Sequence, residues 1–276
     1  MSVVINTNIP SIAAARHLAA AQAGSFKSTQ KLASGSRINS AADDAAGLAV
    51  ASKMRADVAS LNQALRNVND AMSMIGVYLG AADEVEKIFL RGRELATQAL
   101  NGSYTQSDLE NAQLEYREIV VNEIYRIKST TTFNTLLVAD DHLQVTFQIG
   151  ARENDKIVLT FPSLNAGTLM NGPPGNLAQP PPTGAQYAIG KLDQGLESLN
   201  EARTKVAAVS NRLEHTASVL MKVTESTQAA LSRVQDTDFA TESAALARSV
   251  VLTQAATAML AQSNQSPEYV LTLLRG

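Results

Sequence analysis

Between Ile189 and Val234, positions spaced alternately three and four residues apart read Ile189, Leu192, Leu196, Leu199, Arg203, Val206, Ser210, Leu213, Ala217, Leu220, Thr224, Thr227, Leu231 and Val234. This is a heptad seam, the pattern of a helix that packs along its whole length against another. No proline interrupts the run, so a rise of about 1.5 Å per residue gives one helix of roughly 70 Å. Such a helix needs a partner of similar length. One lies far upstream, from Asp44 to about Ala99, with Val58, Leu61, Leu65, Val68, Met72, Ile75, Leu79 and Ala82 at the same spacing. Two matched seams far apart in sequence predict an antiparallel coiled-coil pair. Its expected core is Val58, Leu61, Leu65 and Val68 on one helix, with Leu192, Leu199, Val206, Leu213 and Leu220 on the other.

Composition narrows the function classes. Alanine and leucine carry most of an apolar content of 45%, and aromatics are only 4%, which suits close-packed long helices. A net charge of -3, scattered over both signs, provides no basic stripe for nucleic acid. The absence of cysteine excludes disulfides and thiolate metal sites. No apolar run approaches the roughly 20 residues needed to span a bilayer. Met1 to Pro10 lacks the basic region of a cleaved secretory signal. These rules predict a cytoplasmic protein, unless it leaves by a route that reads no cleaved signal.

The two ends share one character. Ile5, Ile9, Ile12, Ala15, Ala19, Phe26 and Leu32 form a thin, alanine-rich stripe, with Ser11 after Pro10 as the expected helix start. Leu246, Val250, Val251, Ala255, Ala258 and Met259 form another, expected to end at Asn264-Gln265-Ser266-Pro267 and to be followed by Leu271 and Leu274. Neither stripe buries enough area to hold an isolated helix. The first segment is therefore expected to be disordered in a monomer and ordered against other helices. Assembly with copies of the same chain is the natural use of both ends.

Between the first stripe and the long helix, Gly35 is placed to close one helix and Asp43 or Asp44 to cap the next. Adjacent carboxylates invite a metal or acid/base reading, but no third ligand lies close by in sequence. Asn101-Gly102 breaks the long helix, and Ser107 to Glu110 fits a capping box for a third helix through Leu109, Tyr116, Ile119 and Ile127. The period then changes to two. Leu143, Val145, Phe147 and Ile149 alternate with polar residues, as do Ile157, Leu159 and Phe161, and Gly150 to Asp155 supplies the turn of a β-hairpin. Six of the eight prolines fall between Pro162 and Gly184, which marks a connection. The fold class is mainly α: an elongated antiparallel coiled-coil rod of long helices with a small β-hairpin region.

These residues resemble bacterial flagellin. Val4-Ile5-Asn6-Thr7-Asn8 is similar to the start of that family, and Lys31 to Gly35, Arg37 to Ala41 and Asp43 to Ala49 are similar to its most distinctive block. Arg93 to Ala96, Gln106 to Leu109, Phe133-Asn134, Gln148 to Ala151, Asn211 to Leu213, Asp236 to Glu242 and Leu260 to Pro267 follow in family order.

The resemblance implies a structural subunit, exported unfolded through the flagellar type III apparatus, that polymerises into the flagellar filament outside the cell and serves swimming motility. It implies no enzyme activity and no cofactor. It divides the chain into an N-terminal D0 helix (1–40), the N-terminal part of D1 (41–162), a connection in place of the large variable domain (163–186), the C-terminal D1 helix (187–240) and a C-terminal D0 helix (241–276). Assembly then falls to Ile5, Ile9, Ile12, Phe26, Leu32, Leu246, Val250, Met259, Leu271 and Leu274. Implied partners are further copies of the chain, an export chaperone, the filament cap and hook-junction proteins. Phe89 to Leu95 matches the run read by a flagellin-sensing Toll-like receptor, with Arg91, Leu95 and Glu115 at contact positions and Leu90 in place of the usual Gln.

Two other readings stand beside it. A cell-surface polymer- or host-binding homologue needs a basic groove, for which Arg91, Arg93, Arg117, Arg126 and Lys128 are the candidates. A zinc protease of the kind some flagellins carry needs a His-Glu-x-x-His helix, whereas His17, His142 and His215 stand apart.

Overall fold

A computed structural model of the chain describes residues 7–139, 143–164, 176–178 and 183–275, of which 266–275 by backbone. It comprises two compact units, Met1–Asp57 with Ser226–Gly276, and Val58–Glu225. Both divisions fall inside long helices, and the loops at residues 35–44 and 236–238 lie within the first unit.

In the first unit, α1 spans Ile9–Ser34. It starts earlier than expected, because Asn8 Oδ1 accepts the Ser11 N–H at 3.1 Å and Pro10 sits in the first turn, where a missing N–H leaves no bond unmade. Gly35 ends it in the left-handed region at φ 68°. The two aspartates that follow divide the work. Asp43 accepts N–H bonds from Asn39 at 3.2 Å and Ser40 at 3.1 Å and pairs with Lys27 at 2.9 Å. Asp44 Oδ1 accepts the Gly47 N–H at 2.8 Å, which caps α2, Ala45–Ala99. Both carboxylates are thus consumed by backbone closure.

The returning long helix, α5 (Thr183–Gln235), is followed by α6 (Phe239–Arg275). Asp238 Oδ1 accepts the Ala240 N–H at 3.0 Å at the start of α6. The helix does not stop at Pro267 as expected but continues to Arg275. Where the two loops meet, Arg37 N–H donates to Gln235 O at 2.7 Å and Thr237 N–H to Gly35 O at 2.9 Å.

The second unit holds the expected coiled-coil pair, with its seam displaced. On α2 the positions facing inward are Leu61, Ala64, Val68, Ala71, Ile75, Tyr78, Ala82, Val85, Phe89, Gly92, Ala96 and Ala99. Leu61 and Val68 are buried, whereas Val58 and Leu65 are half-buried, and Met72 and Leu79 likewise flank the seam. The helices favour small residues at alternate seam positions because these let the backbones close in, and the larger side chains then pack from the flanks. The same displacement occurs on α5. Leu192, Leu199, Val206, Leu213 and Leu220 are buried. The alternate places go to Ala188, Gly195 and Ala202, and not to Ile189, Leu196 and Arg203.

Ion pairs confirm the antiparallel sense. Arg93 Nε meets Asp193 Oδ1 at 2.9 Å, and Arg203 bonds both Asp83, at 2.5 Å, and Glu86. Residue numbers rise on one helix as they fall on the other.

Helix α3 (Gln106–Tyr116) is capped by a box of Thr105 and Asp108, two residues before the expected one. It runs into a π-helical segment, Arg117–Glu123, and then α4, Ile124–Thr130. Tyr116, Val120 and Ile124 are fully buried. Their spacing of four exceeds the 3.6 residues of an α turn, and the wider π turn keeps all three on one face.

A short pair, β1 (Thr132–Phe133) and β2 (Leu136–Leu137), turns through Asn134 and Thr135 at φ 47° and 70°. The sequence offered no glycine to announce it. The expected hairpin is present as β3 (Leu143–Gln148) and β4 (Lys156–Phe161), with Leu143 opposite Phe161 and Phe147 opposite Ile157. Tyr78 fastens it to α2: its ring lies 5.3 Å from Phe161 and its hydroxyl donates to Pro162 O at 3.0 Å.

The described flanks of the proline-rich connection are part of this core. Leu164 and Leu177 are buried, and the Leu177 N–H donates to Gln113 Oε1 at 2.6 Å.

Candidate assembly surface

The terminal helices of the first unit meet along alanine. A Cβ on Gly24 of α1 would lie 3.2 Å from Ser249 Oγ of α6, so the absence of a side chain at 24 allows the close approach. Polar bonds fix the register at both ends. Asn8 Nδ2 donates to Ser263 O at 2.8 Å, Ser11 Oγ donates to Asn264 Oδ1 at 2.7 Å, and Lys31 Nζ meets Glu242 Oε2 at 3.2 Å. A hydrogen bond from Ser28, followed by Lys31, holds the Glu242 carboxyl below its ordinary pKa. In the structure this N-terminal segment is helical, and α6 is its partner.

The pairing covers little. Ala21 and Ser28 are the buried residues of α1, while Ile9, Ile12, Phe26, Val250 and Met259 are exposed. Phe26 is 73% exposed and Met259 63%. Leu32 and Leu246 are half-buried. Ile5 and the side chains of Leu271 and Leu274 lie outside the described residues. A groove of about 500 Å³ runs between the two helices, lined by Pro10, Ala13, His17, Leu252, Ala256 and Met259 among others. Phe239 and Leu252, which the sequence stripe leaves out, are exposed as well, as is the stripe residue Val251.

Within Phe239–Gln265, an 18-residue stretch with mean hydropathy 1.3 is long and apolar enough to cross a membrane by length and composition. Interleaved Ser, Thr and Gln hide it from a search for uninterrupted apolar runs. An unburied apolar face of this size on a chain is also the mark of a protein–protein interface.

In the second unit, Arg91 Nη2 meets Glu115 Oε1 at 2.7 Å and Arg91 Nη1 meets Glu94 Oε2 at 3.0 Å. These carboxylates, Glu115 first, raise the Arg91 pKa. The pair lies on the surface, joining α2 to α3. Of the residues suggested by resemblance, Leu95, only 2% exposed, belongs to the core beneath, while Arg91 and Glu115 stand at the surface.

The arginines offered for a basic groove are largely neutralised in place. Arg91 and Arg93 are paired as described, and Arg126 meets Glu123 at 2.5 Å. No group of three or more His, Asp or Glu placed to hold a metal occurs among the described residues. His142 lies outside them.

Residues 5–139 match the bacterial flagellin N-terminal helical region and residues 189–274 the bacterial flagellin C-terminal helical region. The chain belongs to the flagellin family. It is 41% identical to the flagellin of Halalkalibacterium halodurans, over 99% of this chain and all of that one. It is 37% identical to the flagellar filament 31.3 kDa core protein of Treponema maltophilum, again over 99% of this chain and the whole of that protein. A putative flagellar hook-associated protein from Vibrio parahaemolyticus shares the fold at TM-score 0.55 and 11% identity, over 70% of this chain and 100% of that one. The two matched regions span α1, α2, the α3–α4 segment and most of α5 and α6.

Proposed function

We propose that this chain is the structural subunit of a bacterial flagellar filament and serves swimming motility. The observation that carries the reading is the α1–α6 pair: two helices whose apolar faces are only partly satisfied by each other and stay open along a common groove. A surface too thin to stabilise one chain becomes adequate when repeated along a lattice of copies, and a heterologous contact that does not close generates an open helix. Residues 1–40 and 241–276 then form the inner part of the filament, as D0, and the coiled-coil pair with its hairpin forms D1 around it. The subunit is exported to the cell exterior in this reading, with an export chaperone, the filament cap and hook-junction proteins as partners. Arg91 and Glu115 are the residues through which a flagellin-sensing receptor would read it.

Electron microscopy of the purified full-length chain, after addition of filament seeds or a precipitating salt, tests the proposal. Long hollow filaments are expected. A chain that stays monomeric under every such condition would overturn it.

A further inference from the structure

We propose that Asn101, in the turn between α2 and α3, is a site of spontaneous deamidation assisted by the chain's own backbone. Asn101 and Gly102 are both exposed. The preceding residues are tied to the end of α2, the Leu100 N–H to Thr97 O at 3.2 Å and the Asn101 N–H to Gln98 O at 3.1 Å. The turn is held across its mouth by Gln98 Nε2, which donates to the Tyr104 hydroxyl at 3.0 Å.

Within that frame the Asn101 side chain folds forward over its own backbone. Its Oδ1 accepts the Ser103 N–H at 3.3 Å, which polarises the carboxamide towards attack at Cγ. Among the described residues no carbonyl accepts the Gly102 N–H. Position 102 has no Cβ to crowd the approach, and nothing lies within 4 Å of where one would stand.

The Gly102 nitrogen attacks Asn101 Cγ and loses its proton to water. The C–N bond to the side-chain amide breaks, and ammonia leaves with a proton taken back from water. Water then opens the cyclic imide at either carbonyl, giving aspartate or isoaspartate. No oxidant or cofactor takes part.

Asn67 and Asn122 provide the contrast, since each lies inside a helix where the next N–H is committed to the helical ladder and each side-chain nitrogen donates elsewhere, to Gln148 O and to Glu118. The product places a carboxylate just past the C-terminus of α2, where the helix dipole disfavours negative charge.

The test is incubation of the full-length protein at mildly alkaline pH, followed by peptide mass spectrometry and isoaspartate-specific methylation. Asn101 should convert ahead of Asn67 and Asn122, yielding a mixture rich in isoaspartate. In Gly102→Ala, which the open space around residue 102 allows to fold, conversion should slow by about an order of magnitude. Retention of the amide at Asn101 throughout, or equal rates in the wild type and Gly102→Ala, would overturn the proposal.

Discussion

Val120 fills the space that a side chain at position 92 would need: a Cβ on Gly92 would stand 2.5 Å from Val120 Cγ2 and 3.4 Å from Leu192 Cδ2. The reciprocal fit lies close by, where a Cβ on Gly195 would stand 3.1 Å from the Phe89 ring. Gly92 of α2 thus receives Val120 of the π segment, with Leu192 of α5 behind it, and Gly195 of α5 receives Phe89 of α2. Alanine at 92 gains roughly 1 kcal/mol of helix propensity but overpacks the junction, at about 1–3 kcal/mol. Gly92→Ala should therefore lower stability in urea denaturation, and adding Val120→Ala should bring back part of the loss.

Gly80 lies in the same helix with open space around it. There the propensity term acts alone, and Gly80→Ala should stabilise by roughly 1 kcal/mol in the same measurement.

These glycines show where sequence reading reaches its limit. Heptad spacing revealed both long helices and their antiparallel pairing, and the change of period at Leu143 revealed the hairpin. Hydrophobicity alone favours Leu65 over Ala64 and Leu196 over Gly195, because it ranks residues by apolar area and carries no measure of interhelical distance. The seam passes through the small residues. The π segment after Tyr116 was likewise invisible, since its cause is the run of buried residues four apart that only packing against α2 makes necessary. On the assembly surface, Ile9, Phe26 and Met259 were legible as stripe residues. The groove was not, because it depends on how α1 and α6 lie together.

Arg203 reaches two carboxylates on the facing helix, Asp83 and Glu86, with its side chain 31% exposed. Replacing it with methionine keeps the aliphatic stem and removes both pairs. A loss of about 1 kcal/mol is expected, smaller at high salt because screening already weakens the wild-type pairs. Thermal denaturation of Arg203→Met and wild type at low and high salt measures both effects.

Acid should loosen the α1–α2 loop. The Lys27 ammonium, together with N–H donors from Asn39 and Ser40, lowers the Asp43 pKa from 3.8 to about 2. Because the folded value lies below the unfolded one, this contribution to stability is complete above about pH 4 and is lost as pH falls towards 2. Amide exchange at Asn39 and Ser40 should accelerate across that window. In Asp43→Asn the same amides should exchange faster already at neutral pH, with a flatter response to acid.

Removal of either terminal helix should separate folding from assembly. Chains lacking residues 1–40 or 242–276 are expected to retain the helical signal of the coiled-coil unit in circular dichroism yet form no filaments on seeding. Filaments from either truncated chain would show that the terminal pair is dispensable.

The most direct test changes one exposed side chain. Leu252 lines the α1–α6 groove and is exposed, so Leu252→Glu should alter the stability of the single chain by no more than about 0.5 kcal/mol. A carboxylate buried without a partner between copies should nevertheless prevent assembly. Electron microscopy of seeded wild type and Leu252→Glu, with circular dichroism to confirm equal folding, decides the matter. The account predicts filaments from the wild type and none from the variant; filaments of equal number and length from both would contradict the assignment of this groove as the assembly surface.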